Sequence, residues 1–202
     1  MKSYAQENED LILMDLLKGV KNGFYIDIGA NDPDVYSVTK LFYENGWCGI
    51  NVEPLPDMYS ALCDKRPNDI NVNAAIGNEC GIMTMYLDGL GSTLSDKVVE
   101  DNHLNKSNTI RVNVYTLAAL LEKYRPENIH FCKIDVEGFE KQVLEGMDWN
   151  FRPWVFCMES TKPGTHIPCY EEWEHILLEH GYELKTVHGI NRYYVDSKRE
   201  WT

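Results

Sequence analysis

Short apolar segments alternate along the chain with amphipathic segments of helical period. The apolar segments are rich in β-branched and aromatic residues and end at glycine, proline or acidic residues, which is typical of strands. They cover residues 23–29, 49–54, 70–76, 129–134 and 154–158. The last two are apolar almost throughout, as expected of strands that are covered on both faces. Residues 182–187 and 193–195 are predicted to form a closing hairpin.

Five helices are predicted between these strands, and residues 92–108 are predicted to be irregular. The helices cover residues 7–17, 35–45, 57–66, 117–124 and 171–180. Asp57 and Thr116 are the expected N-caps, and Gly19, Gly46 and Gly181 follow helix ends. Strands that alternate with helices imply a doubly wound α/β fold with a mostly parallel sheet and helices on both faces. Ligands bind such sheets at the carboxyl ends of the strands.

Composition narrows the choice of compartment and partner. The chain has 202 residues and a formal net charge of −13, which favours one domain over residues 1–202 and disfavours nucleic acid or an anionic membrane as a partner. No apolar run is long enough to cross a bilayer and the N-terminus is polar, so we expect a cytoplasmic protein. The six cysteines include no CxxC pair and are expected to be buried, reduced thiols.

Carboxylates follow four of the predicted strands. They are Asp27 and Asp32 around the first, Glu53 after the second, Asp135 and Glu137 after the fourth, and Glu159 after the fifth. Because the carboxyl ends of parallel strands meet at one edge of the sheet, we expect these groups to lie close together.

The first loop, at residues 27–32, contains only half of a dinucleotide-binding fingerprint. Gly29 lets a ligand approach the backbone, but the further glycines that pack against a pyrophosphate are absent. Glu53 ends the next strand, where a carboxylate accepts hydrogen bonds from ribose hydroxyls. A nucleoside cofactor without phosphates is therefore favoured. A nicotinamide-dependent oxidoreductase and a non-catalytic α/β binding scaffold remain as alternatives.

Four motifs in order resemble the FkbM-type family of S-adenosylmethionine-dependent methyltransferases. They are SYAQENEDLIL from Ser3, GFYIDIGAND from Gly23, GWCGINVEP from Gly46 and KIDVEGFE from Lys133. The resemblance runs nearly the whole length of the chain. It implies the Rossmann-like class I methyltransferase fold, with seven strands of which the last is antiparallel, and O-methylation of sugars or related natural products.

The resemblance also implies site residues. The methionine part of S-adenosylmethionine is expected at Asp27, Gly29 and Asn31, and its ribose at Glu53. The segment Asn73, Ala74, Ala75 matches the stretch that passes the adenine. Gln6 and Asp10 match an N-terminal segment, within residues 1–20, that folds over the cofactor. Asp135 matches the acid closest to the transferred methyl group.

The proton of the accepting hydroxyl has two routes of removal. A carboxylate or histidine acts as the base, with Asp135, Glu159 and His166 as the candidates. Alternatively, Asp135 and Glu159 hold a divalent cation, Mg²⁺ or Mn²⁺, that lowers the pKa of the hydroxyl. The acceptor is expected to be a small sugar, nucleotide-linked, with its phosphate near Lys162 and Arg192. The oligomeric state is left open.

Overall fold

A computed structural model describes residues 2–199, with the exception of the side chain of Leu90. Within these residues the strands are β1 Phe24–Ile28, β2 Cys48–Val52, β3 Ile70–Val72, β4 Ala75–Gly77, β5 Gly81–Tyr86, β6 Thr109–Thr116, β7 Phe131–Ile134, β8 Val155–Glu159, β9 Tyr182–His188 and β10 Asn191–Asp196. The helices are α1 Glu9–Leu16, α2 Lys40–Glu44, α3 Pro56–Lys65, α4 Asp96–Asp101, α5 Leu117–Tyr124, α6 Glu140–Glu145 and α7 Glu174–Glu179. Two short 3-10 turns lie at Gly89–Gly91 and Tyr170–Glu172.

The main sheet has seven strands in the order β3-β2-β1-β7-β8-β10-β9. The pairs from β3 to β8 are parallel, whereas β10 is antiparallel to both β8 and β9. The predicted fold class is therefore confirmed, including the antiparallel last strand and the closing hairpin.

The core lies on both faces of this sheet, because every residue of β7 and β8 is buried. One face packs against α5, α6 and α7 through residues such as Leu121, Val143 and Leu177. The other face packs against α1 and α2 through Leu13 and Phe42. This two-sided burial explains why the sequence of the central strands is almost continuously apolar.

The single strand predicted at residues 70–76 is wrong, because the chain turns between β3 and β4. The side-chain amide of Asn73 donates hydrogen bonds to the carbonyl oxygens of Glu53 (2.9 Å) and Pro54 (3.0 Å) at this turn. After the turn, β4 joins a second sheet of three strands in the order β4-β6-β5. Neither β5 nor β6 was predicted, and the region expected to be irregular contains α4.

Several helices begin at other residues than predicted, because residues expected to be helical belong to the preceding loops. Helix α2 is shorter than predicted because the first loop extends through Tyr36, whose backbone is left-handed (φ 57°). Thr116 caps α5 as predicted, with its hydroxyl accepting from the backbone N–H of Ala119. Asp57 does not cap α3, because Leu55 is the N-cap and Pro56 opens the helix. The helix predicted at residues 171–180 divides into the turn Tyr170–Glu172 and α7.

Two further expectations concern the whole chain. All six cysteines are free thiols, but the burial expected of them is found only for Cys132 and Cys157, and Cys48 and Cys80 are exposed. In the part of the chain that the structure describes, no helix has both the length and the apolar composition needed to cross a membrane.

Candidate active site

A cavity opens at the carboxyl ends of β1, β2 and β7, where the first loop, the loop after β2 and the loop after β7 meet. Its empty volume is about 1090 Å³, with the open mouth included. One wall is apolar and includes Leu55, Ala74, Ala75 and Phe139. The polar side chains that line the cavity are those of Gln6, Glu9, Asn31, Tyr36, Glu53, Ser92, Lys133, Asp135 and Glu137. An apolar pocket with a few convergent polar groups is typical of small-molecule sites.

Gly29 brings the first loop into contact with the loop after β7. Its backbone is left-handed (φ 80°), and a Cβ atom at this position would lie 2.0 Å from the carbonyl oxygen of Asp135. Glycine is therefore required both by the backbone angle and by the space. The close approach leaves backbone, rather than a side chain, along the floor of the cavity.

The carboxylate of Glu53 connects the first two loops and is almost fully buried. Oε2 accepts from the backbone N–H of Asn31 and Oε1 from that of Leu55, both at 2.8 Å. Burial raises the pKa of Glu53, while these two N–H groups and Lys133 act in the opposite direction. Each oxygen keeps a lone pair toward the cavity, so the group remains able to accept from a bound hydroxyl.

Lys133 is a buried cation in the middle of the main sheet. Its Nζ donates to the carbonyl oxygen of Gly29 (2.9 Å) and lies 3.3 Å from Asp135 Oδ2 and 3.5 Å from Asp27 Oδ1. Burial alone would lower the pKa of Lys133, but Asp135 and Asp27 outweigh burial and hold it above the ordinary value. Lys133 thus joins β1 to β7 directly beneath the cavity.

Three carboxylates meet beside the cavity. One oxygen each from Asp135, Glu137 and Glu159 lies within 4.8 Å of the other two. Burial and then the nearby Asp135 raise the pKa of Glu159 well above its ordinary value. Burial, followed by the charges of Asp135 and Glu140, raises the pKa of Glu137 to about 8.

Glu140 holds the loop that carries this cluster. Its Oε1 accepts from the backbone N–H groups of Val136 and Gly138, both at 3.2 Å, while the hydroxyl of Thr93 donates to the carbonyl oxygen of Glu137 (2.7 Å). These contacts support the left-handed backbone of Glu137 (φ 54°), a conformation that is costly for a residue other than glycine.

The apo protein should lose stability as the pH rises toward 8. Burial raises the folded-state pKa of Glu140 to about 7, from the ordinary value of 4.5 that applies to the unfolded chain. The folded protein therefore holds a proton that the unfolded chain releases, so the stabilisation is complete below pH 4.5 and disappears as the pH passes through about 7. Glu137 adds a second loss near pH 8.

Urea unfolding in the presence of a chelator, at pH values from about 5 to about 9, measures this effect. The difference between the wild type and Glu140→Gln contains the step near pH 7 together with the lower pKa of Glu137 once the Glu140 charge is gone, whereas titrations far from Glu140 cancel. A difference that does not vary with pH contradicts the assignment.

The N-terminal segment closes one side of the cavity. Gln6 and Glu9 line it, and the Glu9 carboxylate accepts from the backbone N–H of Glu7 (2.7 Å) and from the amide of Asn191 (2.9 Å). Asp10 is fully buried instead and binds Ser3 Oγ and the backbone N–H of Tyr4. Asp10 therefore folds the segment, whereas Glu9, which the sequence analysis did not select, faces the cavity.

The structure brings seven of the predicted site residues to the cavity lining. They are Gln6, Gly29, Asn31, Glu53, Ala74, Ala75 and Asp135. Glu159 lies behind Asp135 and Glu137 in the carboxylate cluster. Three predicted cofactor residues sit outside the lining: Asp10 is buried in the N-terminal segment, Asp27 is buried against Lys133, and the side chain of Asn73 binds backbone carbonyls.

The predicted acceptor-side residues do not converge on the cavity. Arg192 is bound to Glu174 (2.8 Å) and Tyr194, stacks on Tyr170 and does not line this cavity, so its role toward the acceptor stays a prediction. His166 is exposed on the loop after β8 and lines neither this cavity nor a second one. Lys162 lines that second cavity, on the other side of the loop that carries Gly138, and lies 3.9 Å from Asp101.

Lys133 was also missed by the sequence analysis, although a signal existed. A buried lysine inside an otherwise apolar strand needs anionic partners. Asp27, in the motif from Gly23, and Asp135, in the motif from Lys133, are acidic residues at the ends of the corresponding strands.

Comparison with known proteins supports one assignment. The family model described as the methyltransferase FkbM domain matches residues 27–184, which is most of the chain and includes the loops that form the cavity. The chain belongs to the FkbM methyltransferase family. Family membership makes it a methyltransferase and implies S-adenosylmethionine as the methyl donor.

One solved structure of the same family agrees with the fold of this FkbM methyltransferase. The crystal structure of methyltransferase FkbM from Methylobacillus flagellatus KT has a TM-score of 0.53 and 14% identity and covers 87% of this chain, which spans only 43% of that protein. A TehB-like SAM-dependent methyltransferase from Corynebacterium glutamicum has a TM-score of 0.49 and 8% identity, with coverage of 93% of this chain and 87% of the other. A comparison with curated protein sequences gives no match.

The residues around the cavity fit S-adenosylmethionine. The small side chains Ala74 and Ala75 and the apolar Leu55 leave a flat wall for a base, and Glu53 stands where a ribose would present its hydroxyls. Gly29 leaves the cavity floor open to close approach. Lys133 is the only basic residue among those that line the cavity, and its ammonium is already bound to Gly29 and two carboxylates.

Proposed function

We propose that this FkbM methyltransferase transfers a methyl group from S-adenosylmethionine to a hydroxyl of a sugar or a related natural product. The observation that carries the proposal is the position of the Asp135, Glu137 and Glu159 carboxylates at one end of a cavity whose other walls suit a nucleoside. Acidic groups beside a nucleoside site supply what an oxygen nucleophile needs, which is an acceptor for its proton.

The protein's part in the reaction is to orient the two reactants and to take the proton. S-adenosylmethionine, when bound, supplies an electrophilic methyl group that needs no further activation by the protein. Glu53 and the apolar wall orient the nucleoside, and the backbone at Gly29 approaches the methionine part. Asp135, which lines the cavity and is about one-third exposed, is placed to accept the hydroxyl proton.

The alternative functions fit less well. A nicotinamide dinucleotide carries a pyrophosphate, and the first loop lacks the glycines for it, while the cavity lining offers no basic side chain that is free to bind it. A non-catalytic scaffold has no need of buried carboxylates that face one another, because like charges held together destabilise the fold.

The finer parts of the proposal follow the sequence analysis. The acceptor is nucleotide-linked, and Lys162 remains the candidate group for its phosphate. The protein acts in the cytoplasm on a small molecule, without nucleic acid or membrane as a partner. Asp135 and Glu159 would hold a divalent cation, Mg²⁺ or Mn²⁺, which would lower the pKa of the acceptor hydroxyl.

Binding titrations provide the first test of the function. We expect S-adenosylmethionine and S-adenosylhomocysteine to bind and NAD(H) not to bind. An acceptor screen with nucleotide-linked sugars and the corresponding free sugars, read by mass spectrometry, should then show the gain of one methyl group on oxygen. Binding of NAD(H), or binding of neither cofactor, would contradict the proposal.

Glu53→Gln should weaken cofactor binding by ~10-fold or more, because a charge-assisted hydrogen bond contributes ~1.5–3 kcal/mol. Glutamine retains one carbonyl oxygen, so one of the two backbone contacts to Asn31 and Leu55 survives and the fold is kept. Calorimetric titration with S-adenosylhomocysteine measures the affinity, and Glu183→Gln, at an exposed position on β9, is the matched control. Equal affinities of the two variants would remove Glu53 from the cofactor site.

A further inference from the structure

We propose that Asp135, Glu137 and Glu159 together bind one hard divalent cation, with Glu137 as a third ligand and with the open coordination positions toward the cofactor cavity. The inference rests on the proposed function for its purpose, which is to bind and acidify the acceptor hydroxyl. The presence of the cation site itself is testable without any acceptor.

The first argument is an unsatisfied buried group. Glu159 is only 6% exposed, and within residues 2–199 its Oε2 atom has no hydrogen-bond partner. Oε2 of Glu137 is buried and unpartnered in the same way. A buried carboxylate oxygen without a donor is costly, so a ligand that satisfies both oxygens has a large favourable contribution to make.

The second argument is the charge around the cluster. Among the described residues, the ion pairs found for these three carboxylates come from Lys133 alone, which contacts Asp135 and shares its charge with Asp27. One shared ammonium does not neutralise three carboxylates in a buried setting. A cation with two charges supplies what is missing.

The third argument is distance. The three ligand oxygens lie within 4.8 Å of one another. Ligands that share one face of an octahedral shell are ~3.0 Å apart around Mg²⁺ and ~3.4 Å apart around Ca²⁺, at metal–oxygen distances of ~2.1 and ~2.4 Å, so the oxygens would have to close by at most ~1.8 Å. All three donors are carboxylate oxygens, which favour hard cations over zinc.

The residues that line the cavity indicate from which side a substrate would reach the cation. Asp135 and Glu137 line the cavity, whereas Glu159 lies behind them. Three protein ligands occupy half of an octahedral shell, and the remaining positions therefore face the cavity. A cation held by these residues would lower the pKa of an acceptor hydroxyl that binds there, and Asp135, beside it, would accept the proton.

Manganese is the probe for the test, because free Mn²⁺ is counted directly by electron paramagnetic resonance. The full chain, freed of metal by a chelator, should bind one Mn²⁺, and Mg²⁺ should compete. Glu137→Gln and Glu159→Gln should each weaken Mn²⁺ binding by at least ~10-fold, the lower end of what changes around metal sites cost. Glu183→Gln makes the same change of charge on the edge strand β9, at the end of the strands away from the carboxylate cluster. It should leave Mn²⁺ binding unchanged.

The same samples distinguish the possible failures. No Mn²⁺ binding by the wild type, or equal binding by Glu183→Gln and both cluster variants, would overturn the cation site and indicate that Asp135 and Glu159 share a proton instead. If S-adenosylhomocysteine still binds in that case, the proposed function stands. If Mn²⁺ binds and S-adenosylhomocysteine does not, the cation site stands and the proposed function fails. Glu137 is only partly buried, so Glu137→Gln supplies a folded variant even if Glu159→Gln does not fold.

Discussion

Gly29→Ala should abolish detectable cofactor binding. It should also destabilise the fold by more than the cost of holding an alanine in a left-handed backbone conformation. The added Cβ atom would lie 2.0 Å from the carbonyl oxygen of Asp135, and backbone atoms cannot move aside as a flexible side chain can. The loops after β1 and β7 must therefore separate, which displaces Asn31 and Asp135 from the positions they hold in the cavity. We expect a loss of affinity for S-adenosylhomocysteine of at least ~100-fold, or ~2.7 kcal/mol.

Gly19→Ala is the matched control for this prediction. Gly19 has a similar backbone angle (φ 93°) but no atom within 4 Å of the position that a Cβ atom would take. Its replacement imposes the cost of the left-handed backbone, ~1 kcal/mol or somewhat more, without a clash. Urea unfolding gives the two stability losses and titration gives the two affinities. Similar values for both variants would show that the contact between Gly29 and Asp135 has no part in the site.

Lys133→Met should reduce the free energy of unfolding by ~3–5 kcal/mol, which is the usual cost of removing one partner from a buried ion pair. Asp27 is 1% exposed and would keep a buried charge without its cation. The carbonyl oxygen of Gly29 would lose its hydrogen bond as well. Methionine is close to lysine in shape, so the loss would reflect charge rather than a cavity.

Two comparisons make the result for Lys133 specific. Adding Asp27→Asn to Lys133→Met should recover part of the stability, because the uncompensated charge is gone and the hydroxyl of Thr39 can still donate to the new side chain. Lys40→Met removes a lysine whose ion pair with Asp34 is partly exposed, and it should cost under ~1 kcal/mol. A cost for Lys133→Met no greater than that of Lys40→Met, measured by urea unfolding, would contradict a structural role for the buried cation.

The main sheet was predictable because its signals are local. The segments that form β1, β7 and β8 are apolar apart from one charged residue each, Asp27, Lys133 and Glu159, and a strand buried on both faces shows this in its own sequence. The small sheet was missed because β6 alternates buried Val112 and Val114 with exposed polar residues. Its partners approach from other parts of the chain, and the sequence does not show which segment pairs with it.

The candidate site was predictable to the extent that its residues follow strands. Gly29, Glu53 and Asp135 belong to motifs that fix both the residue type and its position at a strand end. Glu9 was missed in favour of Asp10 because helical periodicity does not show which of two adjacent acids faces a ligand. That choice depends on the left-handed backbone of Asn8 (φ 61°), which sets the direction in which α1 begins.

The division into two sheets leaves one segment of the chain free to change in length without disturbing the main sheet. Residues 78–113 form an excursion that begins after β4 and ends where β6 pairs with β4, at Ala75 and Val114. In the described chain, β4, β5 and β6 pair only among themselves. A longer or shorter excursion here breaks no backbone hydrogen bond of the seven-stranded sheet, and loop-closure entropy penalises added length only slowly. Met85, Ser92 and Leu94 of this excursion also line the cavity. Changes in this segment can thus reshape one wall of the cavity while the seven-stranded sheet keeps its backbone hydrogen bonds.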